Sequence, residues 1–349
     1  MKIIIDLSVL RHPFCGLGQI ALNYKQHFCQ PSQLQAHGHE LTLLVPHRYM
    51  SSDSGSAIFH PARKIYRSFP ALAPSYDVWH SIHQFSNHRP GSKATRRILT
   101  IHDLNFLYEK TPEKQLKYKA RLQSEVDSAA VVCFISHFAL DEARRNLNLD
   151  GKRTQIIYNG VEDLTLGSQK CPEGLNPDVP FFLSLGVVKA KKNIHTLLPL
   201  MSHFPHHQLI IAGSDTDPYA LQLKKQLGEH PNVHIIGTVD DEQRRWLYAH
   251  CSALLFPSLA EGFGLPVIEA MQWGKPVCCS QCTSLPEIGS THAFYFPDFS
   301  HQGMAATVQQ ALQSFSKEKA AQEKSYAAMF SYERHFANYE NLYLELLAL

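Results

Sequence analysis

From Phe181 onward the chain switches between two hydrophobic periods at regular intervals. Short apolar runs occur at Phe181–Leu185, Gln208–Ala212, Val233–Ile236, Ala253–Phe256 and Pro276–Cys279. Between them lie segments of helical spacing, near 193–202, 217–228, 240–250 and 266–273. Runs of four or five residues are short for buried helices but suit strands covered on both faces. Strands separated by helices build a parallel sheet with right-handed crossovers. The first half follows the same rule less cleanly. Its strands are read at Lys2–Leu7, Leu41–Val45, near Lys64–Ser68, and at Asp77–Ser81, Arg97–Ile101, Ala129–Ile135 and Thr154–Tyr158. Helices are read from Gly18 to Phe28, from Thr111-Pro112, and from Ser136 to Arg145. A chain of 349 residues exceeds one ordinary core. The polar stretch Leu164–Val179 reads as a linker. The expected division is therefore an α/β domain over 1–165, a second over 166–330, and an amphipathic segment over 331–349.

Chemistry concentrates where the run Ala253–Phe256 stops at Pro257-Ser258. Glu261-Gly262-Phe263-Gly264-Leu265-Pro266 follows, then Val267-Ile268-Glu269-Ala270-Met271. Pro266 suits the first turn of a helix. The glycines let the backbone approach a ligand at the positive end of the helix dipole. Two acids eight residues apart flank that turn, giving carboxylates for sugar hydroxyls and amides for anionic oxygens.

Composition narrows the classes. With 44% hydrophobic and 18% charged residues the chain is globular. No apolar run approaches the about 18 residues that span a bilayer, and Met1–Asp6 reads as a strand instead of a signal peptide. Eight scattered cysteines without paired zinc spacing point to reduced, cytoplasmic thiols, and the 21 dispersed histidines to no metal site. Residues 1–170 hold 21 basic and 14 acidic side chains, so the slight net charge of +2 hides a basic first half. That half fits an anionic membrane surface or a phosphorylated acceptor. No aromatic-interleaved basic run points to nucleic acid. Gly16-Leu17-Gly18-Gln19-Ile20-Ala21 imitates a nicotinamide-binding fingerprint. A loop separates it from the first strand, however, and Glu40 precedes the second strand where the fingerprint needs an acid at the end.

The segment Glu261–Glu269 resembles the E-x7-E signature of retaining glycosyltransferases of family 4, with the filling EGFGLPxxE, close to bacterial mannosyltransferase-like members. The resemblance is densest over 181–289 and thin across 47–75. It implies the GT-B architecture: two Rossmann-like parallel-sheet domains facing across a cleft, the C-terminal helix crossing back to the first. It implies a hexosyl transfer without metal or cofactor, from a GDP- or UDP-linked sugar to a saccharide, in cell-surface polysaccharide or lipopolysaccharide synthesis. The cleft would close on the donor. Gly16 and Gly18 then approach the donor phosphates. Gly186–Asn193 resembles G-x-x-x-x-R/K-K-N, so Lys192 binds the diphosphate. Val187 stands where many members have arginine, a role left to Lys189 or Lys191. Gly213, Thr238 and Val239 lie beside the diphosphate and base, and Gly262, Phe263, Gly264 and Leu265 supply amides. Glu269 binds the ribose and Glu261 the sugar hydroxyls. His102, in the motif Ile101-His102-Asp103-Leu104, stands near the anomeric carbon. His80, His83 and Asp103 fall on the acceptor side. The helix bearing Lys114, Lys117, Lys119 and Arg121 offers a membrane-facing surface for a lipid-linked acceptor at the inner face of the membrane. Two other readings stay open: a sugar-nucleotide epimerase on the same fold, and a non-catalytic sugar-nucleotide-binding protein.

Overall fold

The computed structural model describes residues 1–13, 16–92 and 94–348. Seven strands form the first sheet: β1 (Lys2–Asp6), β2 (Glu40–Val45), β3 (Ile58–Pro61), β4 (Val78–Ser81), β5 (Arg96–Ile101), β6 (Val131–Phe134) and β7 (Arg153–Ile156). All pairings are parallel, in the order β3-β2-β1-β4-β5-β6-β7. The order reverses between β1 and β4, where ligands of such sheets bind. One expected strand is misplaced. Lys64–Ser68 contains a helical turn, Ile65–Ser68, and the edge strand runs over Ile58–Pro61 instead. A half-exposed edge ending in proline carries little apolar signal. Glu40 is the first residue of β2, still remote from its carboxyl end.

The helix Tyr332–Ala348 completes this unit, which comprises 1–160 and the C-terminal segment from Tyr332. Phe336, Tyr339, Tyr343, Leu346 and Leu347 recur at helical spacing and bury with Ile3, Ile5 and Val78 in one core. Gly160 marks the exit. A Cβ there would fall 2.2 Å from the Tyr332 ring, so only glycine lets the chain pass.

The second unit spans Val161–Ser331. Its six parallel strands are β8 (Phe181–Leu185), β9 (Gln208–Ala212), β10 (Val233–Gly237), β11 (Ala253–Phe256), β12 (Val277–Cys279) and β13 (Phe294–Tyr295). Their order is β10-β9-β8-β11-β12-β13, with the reversal between β8 and β11. The expected linker, 164–179, has no helix or strand but is bound to this unit. Leu164 N–H donates to Gln272 Oε1 (3.2 Å) and Lys170 N–H to Glu242 O (3.2 Å). Of three helices unassigned from the sequence, His301–Ser314 packs on β12 and β13, while Leu285–Gly289 and Lys317–Ala327 pack on the helix Leu265–Gln272.

Candidate functional site

In the second unit, the loops that follow β8 and β11 emerge side by side at the sheet's reversal. The first carries Lys192, the second Glu261, and Lys192 Nζ lies 2.5 Å from Glu261 Oε1. Both side chains are mostly covered, and the ammonium also stands 4.8 Å from the Phe256 ring centroid. Ser258 Oγ donates to Glu261 Oε1 (2.6 Å), while Glu261 N–H donates to Thr283 Oγ1 (2.9 Å). Ser284 Oγ reaches the carbonyls of Glu261 (3.0 Å) and Phe263 (2.9 Å). Leu259 N–H closes onto Lys191 O (2.7 Å), tying one loop to the other. One hydroxyl, that of Ser258, thus meets the carboxylate itself, while those of Thr283, Ser284 and Ser280, which donates to Ser258 O, hold the backbone of the loop that carries it.

Glycines keep the ground beside this pair bare. Gly186 lies within 3.6 Å of the Lys192 ammonium, measured from where a Cβ would stand. Gly213, at φ +143°, would set a Cβ 2.0 Å from Gly186 O. Gly264, at φ +105°, caps the helix Leu265–Gln272 with Pro266 in its first turn. The site therefore offers one ammonium, one carboxylate and backbone amides at a helix start, an arrangement for oxyanions and hydroxyls. Phe263 is buried against Phe330, so only its backbone can serve a ligand. Lys189 is exposed and Val187 is 44% exposed, so no arginine shares the task at that position. Thr238 is exposed and Val239 half-buried just beyond β10.

Glu269 belongs to a separate network one helix face away. Tyr248 OH donates to its Oε2 (2.6 Å), and Arg244 Nη1 stands 3.8 Å from Oε1. Arg244 and Arg245 also pair with Glu162 at 3.0 and 3.4 Å. Burial works against the charge of Arg244, but Glu269, Tyr248, Asp241 and Glu162 outweigh it and raise its pKa. Burial, then Glu269, pushes the Tyr248 phenol well up, so it stays a donor.

In the first unit, His102 sits just past β5 and is buried. Its Nε2–H donates to Ile82 O (2.8 Å), and burial pulls its pKa down, giving a neutral ring of fixed tautomer. Gln84, which sequence reasoning missed, accepts from His102 N–H (3.2 Å) and donates to Asp103 O (2.9 Å). Asp103 Oδ1 accepts from Asn105 N–H (2.9 Å), a local turn. His83 lies 6.4 Å from His102, ring to ring. Burial, then His102 and Arg121, lowers its pKa to about 3. It lines a pocket of about 330 Å3 with Asp6, Arg11, His12, Phe85 and Ser86, formed by the loops after β1 and β4. His80 does not join them. It is fully buried, with Nδ1 2.6 Å from Tyr343 OH and Nε2 2.8 Å from Thr100 Oγ1. Being central in the sheet, β4 is covered on both faces, and the C-terminal helix roofs this histidine; the acceptor-side expectation for it is corrected. Gly16 is exposed at a helix start, whereas Gly18 is buried against His12 O and Pro13, which accounts for glycine there without any ligand.

The two parallel-sheet units define a class, the GT-B glycosyltransferases. The sucrose-phosphate synthase of Thermosynechococcus elongatus superposes over 100% of this chain and 99% of its own, with TM-score 0.73 at 20% identity. Residues 29–163 match the family described as Glycosyltransferase Family 4, and 168–328 match Glycosyl transferases group 1. O-antigen chain mannosyltransferase B of Escherichia coli is 26% identical over 95% of this chain and 97% of that protein. O-antigen chain mannosyltransferase RfbU of Salmonella typhimurium is 28% identical over 56% and 55%. The chain belongs to glycosyltransferase family 4, near bacterial mannosyltransferases, and is a glycosyltransferase.

Proposed function

We propose that this enzyme takes a hexose from a nucleoside-diphosphate sugar, a mannosyl donor being the first to test, and passes it to a lipid-linked saccharide with retention and without a metal. The setting is cell-surface polysaccharide or lipopolysaccharide synthesis, which the names of the O-antigen mannosyltransferase relatives support; its place is the cytoplasmic face of an anionic membrane, a reading that rests on the basic first half. The Lys192–Glu261 pair beside the bare Gly186–Gly213 ground carries the reading. Lys192 and Lys189 take the diphosphate with the amides of Gly262–Leu265. Thr238 and Val239 border the base. Glu269, oriented by Tyr248 and Arg244, takes the ribose hydroxyls. Glu261 accepts hydroxyls of the transferred sugar.

The neutral His102 keeps its Nε2–H on Ile82 O, so Nδ1 is the nitrogen left to accept from a substrate hydroxyl. That makes it a positioning group and not an acid. His83, in the pocket beyond β1 and β4, and Asp103, which does not line that pocket, are assigned to the acceptor. Transition-state charge builds on the leaving diphosphate, where a preorganised cation and helix-start amides act most strongly. Incubation with a panel of GDP- and UDP-sugars and a saccharide acceptor tests the proposal. Transfer from one donor supports it; donor epimerised without transfer, or binding without turnover, contradicts it.

A further inference from the structure

The helix Pro112–Asp127 bears a surface that the donor chemistry does not use. Lys110, Lys114, Lys117, Tyr118 and Arg121 line a pocket of about 350 Å3 in the first unit. Four of the five are cations and no carboxylate lines it. Residues 114, 117, 118 and 121 fall on one helix face by their spacing. None of the four cations makes an ion pair among the described residues. Like charges stacked at three- and four-residue intervals oppose the helix that carries them, an opposition a bound anion removes. The pocket also has a fixed wall. Arg121 donates to Phe85 O (3.0 Å) and Asn87 Oδ1 (3.3 Å), and lies 5.2 Å from the Phe85 ring, which packs edge-on against Tyr118 at 5.2 Å. Phe85 and Asn87, which Arg121 touches, line a second pocket, the one holding His83. Phe85 therefore stands between a pocket of four cations and one of mixed polarity, where Arg11 and Arg67 share the lining with His83, Ser8, Asn87 and the carboxylate of Asp6, which is tied to Ser8 N–H and Ser86.

We propose that Lys110, Lys114, Lys117 and Arg121 form an oxyanion subsite for the diphosphate of a lipid-linked saccharide, with its sugar in the adjoining pocket. The inference rests on the acceptor reading given above and adds the chemistry that recognises it. Lysines serve as mobile point charges, and the fixed guanidinium adds a fork. Being concave, the pocket suits one compact anion better than a plane of lipid headgroups.

Lys114 and Lys117 are exposed, and glutamine forms helix about as well as lysine, so K114Q/K117Q keeps the fold, which an unchanged Tm verifies. With the donor site saturated by nucleoside diphosphate, inorganic pyrophosphate is titrated into wild type and variant. The expected result is binding that weakens about tenfold or more in the variant. In turnover, the acceptor saccharide is presented once on a soluble alkyl diphosphate and once as its methyl glycoside. The KM for the diphosphate form should rise about tenfold, with the methyl glycoside and donor KM unchanged. Pyrophosphate binding that ignores the substitutions overturns the proposal. So does a loss of binding to phosphatidylglycerol vesicles, relative to phosphatidylcholine, with the diphosphate KM intact, because the lysines then serve headgroups. Equal kcat/KM for the two acceptors overturns this inference alone, whereas wild type that transfers to neither brings down the acceptor reading beneath it.

Discussion

At the scale of single residues, the Lys192–Glu261 pair makes two substitutions diverge. With the diphosphate where it is proposed to bind, Lys192→Ala removes a charge-assisted contact worth about 1.5–3 kcal/mol and leaves Glu261 unneutralised beside it. Nucleoside-diphosphate affinity should fall at least about tenfold by calorimetry. Glu261→Gln removes a repelling charge instead. Binding should hold or tighten while transfer collapses, and equal losses in both would refute the assigned roles. Tyr248→Phe, which frees one oxygen of Glu269, should raise the donor KM severalfold with kcat nearly kept. Histidines give a pH signature. Burial lowers His335 to about 4 and His83 to about 3, and puts His80 well below its ordinary value. The unfolded chain takes protons near pH 6.5 that the folded one refuses, so stability is full above that value and drains as pH falls toward 4. His335 alone accounts for roughly 3 kcal/mol across that window. Urea midpoints at pH 7 and pH 5 should therefore separate clearly; coincident midpoints would contradict the burial of these rings as neutral groups.

Among elements, the loops after β8, β9 and β11 are the precise ones. Gly213→Ala would drive a Cβ into Gly186 O, at a cost of about 1–3 kcal/mol. Its expected outcome is a lower melting temperature together with weakened nucleotide binding, since the same backbone frames both. The C-terminal helix is an element of equal consequence, because Phe336, Tyr339 and Tyr343 are core residues of the first unit. Ending the chain at Ser331 should leave that unit open to limited proteolysis, and a resistant 1–160 fragment would contradict the packing. Elements with clean periods were legible from the residues alone: β8, β9 and β11 fall on the runs read for them. The edge strand Ile58–Pro61 was not, since a strand paired on one side and ended by proline has no two-faced apolar run. Glu261 and Lys192 were legible because their chemistry is local to a Gly-rich turn. Tyr248, Arg244 and Gln84 were hidden, being joined to the site only by folding, 21, 25 and 18 residues from the partners they orient. His80 misled for the opposite reason: its place at a strand end matched the rule for cleft residues, and the helix that roofs it lies over 250 residues on.

For the whole molecule, two parallel-sheet units each carry a reversal of strand order, and each reversal has chemistry at its mouth: Lys192 and Glu261 in one, His83 and Asp6 in the other. Among the described residues no helix is long and apolar enough to cross a membrane. The central claim is that the reversal between β8 and β11 grips the pyrophosphate of a sugar nucleotide. Calorimetric titration of GDP and of UDP into wild type and Lys192→Ala tests it most directly. The account predicts that one of the two binds wild type in a single site and loses at least about tenfold affinity in the variant; a chain that binds neither, or a variant that binds as tightly as wild type, contradicts it.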